Sequence, residues 1–409
     1  MHTDRAYPVV VAGRTLFFGN NVDNHVYALD TRTGSERWSF AVDGSVRFAP
    51  VVDGGRLFFG SDDGQVYCLN ASDGSLVWKH RPSPSGERVI GNGRMISLWP
   101  VRTGLLLEGG TLYLAAGIFP YEGLYVAALE AQTGREIWLN DTSGDQAWGH
   151  QYGGMAPQGY LVASSDNLFV PTGRGMPAAF DKRTGKFKKF LHAGGKVGGA
   201  WVQVSGGELF AGNDNQGADT KITFDADSGA NRGDQFSSFP SIDMVIADGV
   251  AYLATQKGLY AIDRAAHAKA ATEVPKLNKE ESALVKSIAE IRDRHKAAAK
   301  AGNADGLAKA TTELNAATAR LTAVSKEKEA LNAGRVKWFM SREQLGPLAV
   351  AGELGPLALA GETLFAGGDG YVVSLAAATG RLISIYGVKG TALSLAVADA
   401  RLFVSTSRG

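Results

Sequence analysis

The segment Val26-Tyr-Ala-Leu-Asp30-Thr-Arg-Thr33-Gly34-Ser-Glu-Arg-Trp38 reads as a short β-hairpin. Val26 to Leu29 alternates like a strand, Asp30 to Gly34 makes a tight turn, and Ser35 to Phe40 returns. Gly34 suits a turn position that needs φ > 0, and Asp30 and Thr33 can bond the turn's own backbone. Trp38 closes the unit with a large apolar ring.

The same pattern returns at Val66 to Gly74 with Trp78, and at Val126 to Gly134 with Trp138. Weaker copies end at Gly185, Gly229 and Gly380, and Leu259-Tyr-Ala-Ile-Asp263 is a copy without its Thr-Gly. The turn glycines Gly34, Gly74, Gly134, Gly185 and Gly229 recur at intervals of 40, 60, 51 and 44 residues, the longer ones stretched by loops. The first interval is the length of one four-stranded repeat unit. In the second repeat the strands are expected at Val46 to Val52, Arg56 to Ser61, Gln65 to Asn70 and Ser75 to His80. Glycine fills 52 of 409 positions, as many tight turns require.

These hairpins resemble the PQQ-type propeller repeat, whose signature is Ala-x-Asp-x-x-Thr-Gly-x-x-x-Trp; Ala28 through Trp38 matches it fully. The resemblance runs from about Tyr7 to the end. It implies an all-β, eight-bladed-type β-propeller of four-stranded antiparallel blades, a single domain over 1–409. It also implies that Trp38, Trp78 and Trp138 dock on the Thr-Gly turns of neighbouring blades, with Gly34, Gly74 and Gly134 as structural turn residues. The last blade is expected to be incomplete, with Thr391 to Ala398 and Arg401 to Ser405 as its inner strands. The chain is therefore expected to be a piece of a longer protein, or to be completed by a partner's strand.

One region breaks the pattern. From Lys279 to Leu331 the chain is rich in Ala, Glu, Lys and Leu, with Gly302 and Gly306 its only Gly or Pro residues. Leu284, Ile288, Ile291 and His295 form one helical stripe, and Leu307, Ala310, Leu314, Ala317, Leu321 and Val324 alternate at 3 and 4. An antiparallel helical coiled-coil hairpin is expected over 276–335, inserted within blade 6. Its charge, 12 basic against 8 acidic residues, is that of a solvated arm and not of a nucleic-acid binder.

A formal net charge of +1 gives no argument for nucleic acid. No apolar run is long enough to span a membrane, and Met1 to Ala6 lacks the h-region of a signal peptide. The single cysteine, Cys68, sits at an alternating apolar position and is expected to be buried. No hydrolase, Walker or paired-cysteine motif occurs. Asn213-Asp214-Asn215 lacks the downstream Glu of a calcium loop and reads as a turn, so no metal is expected.

Polar and aromatic residues gather in the long connections after fourth strands, which in a propeller reach the channel mouth. Trp148, His150 and Tyr152 lie in one such connection, and Arg47, Arg94, Trp99, Arg174 and Trp201 fall at comparable positions. Together they either bind an anionic, planar or sugar-like ligand or simply fill a narrow channel. The resemblance raises PQQ as a cofactor, but quinoprotein dehydrogenases of this fold use vicinal cysteines, and Cys68 stands alone. The expectation is a non-catalytic scaffold without cofactor that binds a protein partner through the channel face and helical arm. The resemblance to the BamB-type lipoproteins implies a periplasmic or extracytoplasmic place. A quinone- or small-ligand-binding oxidoreductase domain is the alternative.

Overall fold

The computed structural model describes residues 8–91, 93–146, 154–173, 175–191, 199–212, 221–347, 349, 352 and 354–409. They form seven four-stranded antiparallel sheets and two two-stranded pairs, and each four-stranded sheet uses consecutive strands. The chain divides into two compact units: residues 1–245, 253–259 and 340–409, and residues 246–252 and 260–339.

In the first unit the first sheet runs Val9–Ala12, Thr15–Gly19, His25–Asp30 and Glu36–Ala41, and the second runs Val51–Asp53, Arg56–Gly60, Val66–Asn70 and Leu76–His80. Alternate side chains of a strand face opposite neighbours. Leu57 and Phe59 pack with Phe17, Val26 and Trp38 of the first sheet. Phe58 and Cys68 pack with Leu112, Leu114 and Leu129 of the third sheet, which runs Leu106–Glu108, Thr111–Ala116, Tyr125–Glu130 and Glu136–Asn140. Both faces of a sheet are thus covered, which is why its strands read as nearly unbroken apolar runs. Cys68 is buried as expected, and burial pushes its thiol up to about 11.

The joint between successive sheets is the same three times. The indole nitrogens of Trp38, Trp78 and Trp138 donate to the carbonyls of Ala71, Ala131 and Lys182 at 3.2, 3.0 and 3.2 Å. Each ring lies flat on the turn glycine. A Cβ at Gly74, Gly134 or Gly185 would sit 2.6, 2.7 or 2.3 Å from it, and these glycines also hold φ near +72°. Only glycine meets both demands. Lys189 holds the tryptophan's sequence position at the fourth joint, where a Cβ on Gly229 would meet Leu191 Cδ2 at 2.7 Å and Lys189 Cε at 2.8 Å.

The first strand of the second sheet begins at Val51, not Val46. The backbone of Ser45 is used instead to accept the Asp62 amide at 2.9 Å, and Val46 is buried against Gly19. The connection from Pro82 to Trp99 contains a hairpin of its own, Arg88–Gly91 with Arg94–Ser97. In the last sheet two long strands change partner midway. Thr363–Ala376 pairs first with Leu354–Ala360 and then with the start of Leu382–Ala398; the end of that strand pairs with Arg401–Thr406. Gly370 and Gly390, at φ +83° and +86°, sit at the changes. The first strand lies beside these last strands, and Arg401 Nη1 donates to Thr31 O at 3.1 Å.

The second unit is dominated by α1 (Arg264–Lys300) and α2 (Ala304–Gly334). The carboxylate of Asp263 caps α1, Asn303 caps α2, and Gly302 turns between them at φ +65°. Ile288, Ile291, Ala310 and Val324 are buried, and Arg294–Glu313, Arg320–Glu280 and Lys328–Glu281 pair across the helices. The first helix starts twelve residues earlier than 276. The alanine-rich run after the Asp263 cap is helical in its own right, and Pro275 forfeits one backbone bond inside it. The pair occupies the place of a turn. Asp263 N donates to Arg335 O at 2.9 Å, as Asp30 N does to Ser35 O at 2.8 Å and Asn70 N to Ser75 O at 2.9 Å.

Candidate functional site

Two clusters in the first unit contain residues singled out from the sequence. The first is built on the Arg88–Ser97 hairpin. Its cross-strand pair Ile90 and Met95 is exposed, at 81% and 52%, and Val22 on the turn after the first sheet's second strand is 64% exposed. Val22, Asn24, Gly44, Ser45, Arg94, Met95 and Ile96 line a cleft of about 330 Å³. Arg94 reaches across its floor to Asn21 O, with Asn24 Oδ1 at 3.4 Å and Ser45 Oγ at 3.5 Å. Its stem and Met95 present apolar surface while the guanidinium holds two loops together. Three exposed apolar side chains around a polar floor form a surface that water wets poorly.

Behind this cleft lies a buried charge cluster. Asp62, fully buried, accepts Arg47 Nε at 2.8 Å and Nη2 at 2.7 Å, and Arg102 Nε at 3.1 Å. Arg47 is therefore engaged inside the protein. Next to it, Asp63 accepts the Tyr67 hydroxyl at 2.6 Å, and burial pushes its carboxyl above the usual range. Trp99 is buried too. Its indole donates to Glu122 O and its ring stands edge-on to Tyr125 at 5.8 Å, so it fastens the Pro120–Glu122 turn.

The second cluster joins Trp201, Lys221 and Asp243. The Lys221 ammonium lies 5.1 Å over the Trp201 ring, and Lys221 is almost completely buried. Asp243 accepts the amides of Met244 and Leu357, each at 2.8 Å, and burial pushes its carboxyl up. A ring, a cation and a carboxylate stand together here, an arrangement suited to a small polar ligand.

Trp148, His150, Tyr152 and Arg174, and the Asn213-Asp214-Asn215 turn, lie outside the described residues. Among the described residues no group of three or more His, Cys, Asp or Glu side chains could hold a metal. No helix is long and apolar enough to cross a membrane. Sequence reasoning named Arg94 but missed Val22, Ile90 and Met95, which look like ordinary strand residues until the hairpin is seen to stand outside the four-stranded sheets. It also missed Asp62 and Arg102, partners that sequence spacing does not pair.

The family model described as outer membrane protein assembly factor BamB matches residues 3–140. Tetrathionate hydrolase of Acidithiobacillus ferrooxidans is 28% identical over 194 residues, which are 44% of this chain and 34% of that protein. The match thus spans about a third of that relative's length. Quinohemoprotein alcohol dehydrogenase from Comamonas testosteroni superposes with a TM-score of 0.57 at 13% identity, covering 97% of this chain and 69% of that one. The computationally designed Ika8 protein superposes with a TM-score of 0.59 at 13% identity, over 98% and 93% of the two chains. With the Thr-Gly turns sealed by tryptophan, the sheets packed face to face and these likenesses, the chain is a propeller-type protein of PQQ repeats.

Proposed function

We propose that this chain is a non-catalytic binding propeller of the eight-bladed type, its last blade incomplete, and that it docks a protein partner. The observation that carries the reading is the exposed Val22–Ile90–Met95 surface around the Arg94 cleft. Apolar side chains that could have turned inward gain nothing from water, and a partner removing them gains on the order of 25 cal/mol per Å². The paired helices α1 and α2 provide a second surface for the same partner. The family description, outer membrane protein assembly factor, supports a periplasmic or other extracytoplasmic setting for such a scaffold. The test is partner capture by the full chain and by an Ile90→Asp/Met95→Asp variant. Capture lost in the variant at unchanged melting temperature supports the reading; equal capture contradicts it.

The Trp201–Lys221–Asp243 cluster favours a second reading, a small-ligand or oxidoreductase site. The described residues do not fit a sandwiched quinone such as PQQ. Cys68 lies in the core between the second and third sheets, and Arg47 and Arg102 are committed to Asp62. Titration with PQQ and calcium, followed by absorption, separates the readings. Stoichiometric uptake favours the second.

A further inference from the structure

The hairpin of Arg88–Gly91 and Arg94–Ser97 has an open edge inside the chain. Leu98 N donates to Glu87 O at 2.9 Å, one step beyond the Arg88–Ser97 pair. Bonded and non-bonded pairs alternate along an antiparallel ladder, so Arg88 and Ile90 aim N–H and C=O away from the Arg94–Ser97 strand. On that second strand the outward amide of Ser97 is used, donating to Asp62 O at 2.8 Å. On the first it is not: among the described residues Arg88–Gly91 pairs with Arg94–Ser97 alone.

The outer strands Glu36–Ala41, Leu76–His80, Glu136–Asn140, Phe187–Phe190 and Asn231–Gln235 also end their sheets, but each is blunted. Glu36, Lys79, Glu136, Lys188 and Arg232 place charge on them, and the register shifts in all five pairings. Charge and bulges protect an edge against a further strand. The Arg88–Gly91 register runs without a shift, and Ile90 on it is 81% exposed. Its one charge, Arg88, turns to Asp43 at 3.4 Å. The platform is also fixed in place: Ile96 is buried beneath it, and Gly91 leaves no room for a Cβ against that side chain.

Ile90 and Met95 are cross-strand partners on one face. A strand added at the open edge sets a side chain of its own third in that row. We infer that Arg88–Gly91 receives an extended segment of the partner protein by strand addition, with an aliphatic or aromatic side chain opposite Ile90. The inference rests on the docking surface proposed above and names how the partner is held there. A row of outward N–H and C=O groups matches a polypeptide backbone, and neither a lipid nor a small ligand repeats that spacing. Main-chain bonds supply affinity in such additions, and the Met95–Ile90 row supplies selectivity.

The test uses the full chain in its native cells, with photo-reactive benzoylphenylalanine at position 95 and either Arg88→Pro or Arg88→Ala. Proline deletes the outward amide and alanine keeps it, while both remove the same charge. A protein adduct at least tenfold weaker with proline than with alanine is expected. Equal adducts overturn strand addition and leave the docking surface standing; no adduct with either removes both. Amide exchange guards against a hairpin merely loosened by proline. In the purified adduct of the chain with Arg88 intact, the amides of Arg88 and Ile90 should exchange at least tenfold more slowly than in the free chain. Unchanged rates there overturn the inference whatever the two variants show.

Discussion

The turns at Gly185 and Gly34 share a backbone and differ in their surroundings. Both hold φ +71°, and in both a carboxylate, Asp181 or Asp30, gathers the turn's amides. One lies beneath Trp138 and the other is open. The repeat therefore writes each turn twice, once for its own conformation and once for its neighbour's ring. Substitutions separate the two requirements.

The largest effect is expected from the ring. Trp78→Ala removes an indole wedged between the second and third sheets, together with its bond to Ala131 O, and should cost about 3–5 kcal/mol in chemical denaturation. Lys189→Ala, at the joint that uses lysine, should cost well under half as much. Equal losses would mean that the ring is not what seals the joint. Next come the glycines. Gly185→Ala meets the left-handed penalty of about 1–2 kcal/mol and a clash with Trp138 worth about 1–3 more. Gly34→Ala meets the first penalty alone. Similar destabilisation by the two changes would break the comparison.

A smaller effect is expected where helices stand for a turn. Replacing residues 264–334 with four turn residues leaves the Asp263 N–Arg335 O bond to be closed as at Asp30 and Ser35. The melting temperature should fall by a few degrees, because the seam residues Ile288, Ile291, Ala310 and Val324 leave with the pair and only the burial of Arg264, His267 and Ala270 at the start of α1 is lost. A collapse on deletion would contradict that independence.

The smallest effect is that of acid on the turns. Hydrogen bonds from Thr184 hold Asp181 down to about 2 from an ordinary 3.8. Arg37 with the turn amides lowers Asp30, and Ser228 with Arg232 lowers Asp225. A carboxyl with a depressed folded value stabilises fully above its unfolded value and loses that contribution as pH falls. Stability should thus decline from about pH 4 toward pH 2. An Asp30→Asn/Asp181→Asn/Asp225→Asn variant should show a flatter profile across that window. An unchanged slope would remove these turns as its cause.

Periodicity made the repeats legible, because turn glycine, aspartate and tryptophan obey local spacing. The helical seam was legible for the same reason, and Ile288, Ile291, Ala310 and Val324 are buried as their spacing implies. The candidate site was less so. Arg47 and Trp99 look like channel residues in sequence, but Asp62 and Glu122 O claim them, partners 15 and 23 positions away. The hairpin at Arg88–Ser97 hid in a connection rich in Pro, Ser and Gly, and its exposed face follows from tertiary placement, which no local pattern records.

The exposed surface around Met95 is the proposed docking site for the partner. A photo-reactive benzoylphenylalanine at position 95, compared with one at position 137, tests it in the native cells. Ile137 is similarly exposed, at 47%, on a fourth strand away from the Arg94 cleft. The prediction is a discrete protein adduct from position 95 and none from 137. The same adducts from both positions, or none from 95, would contradict it.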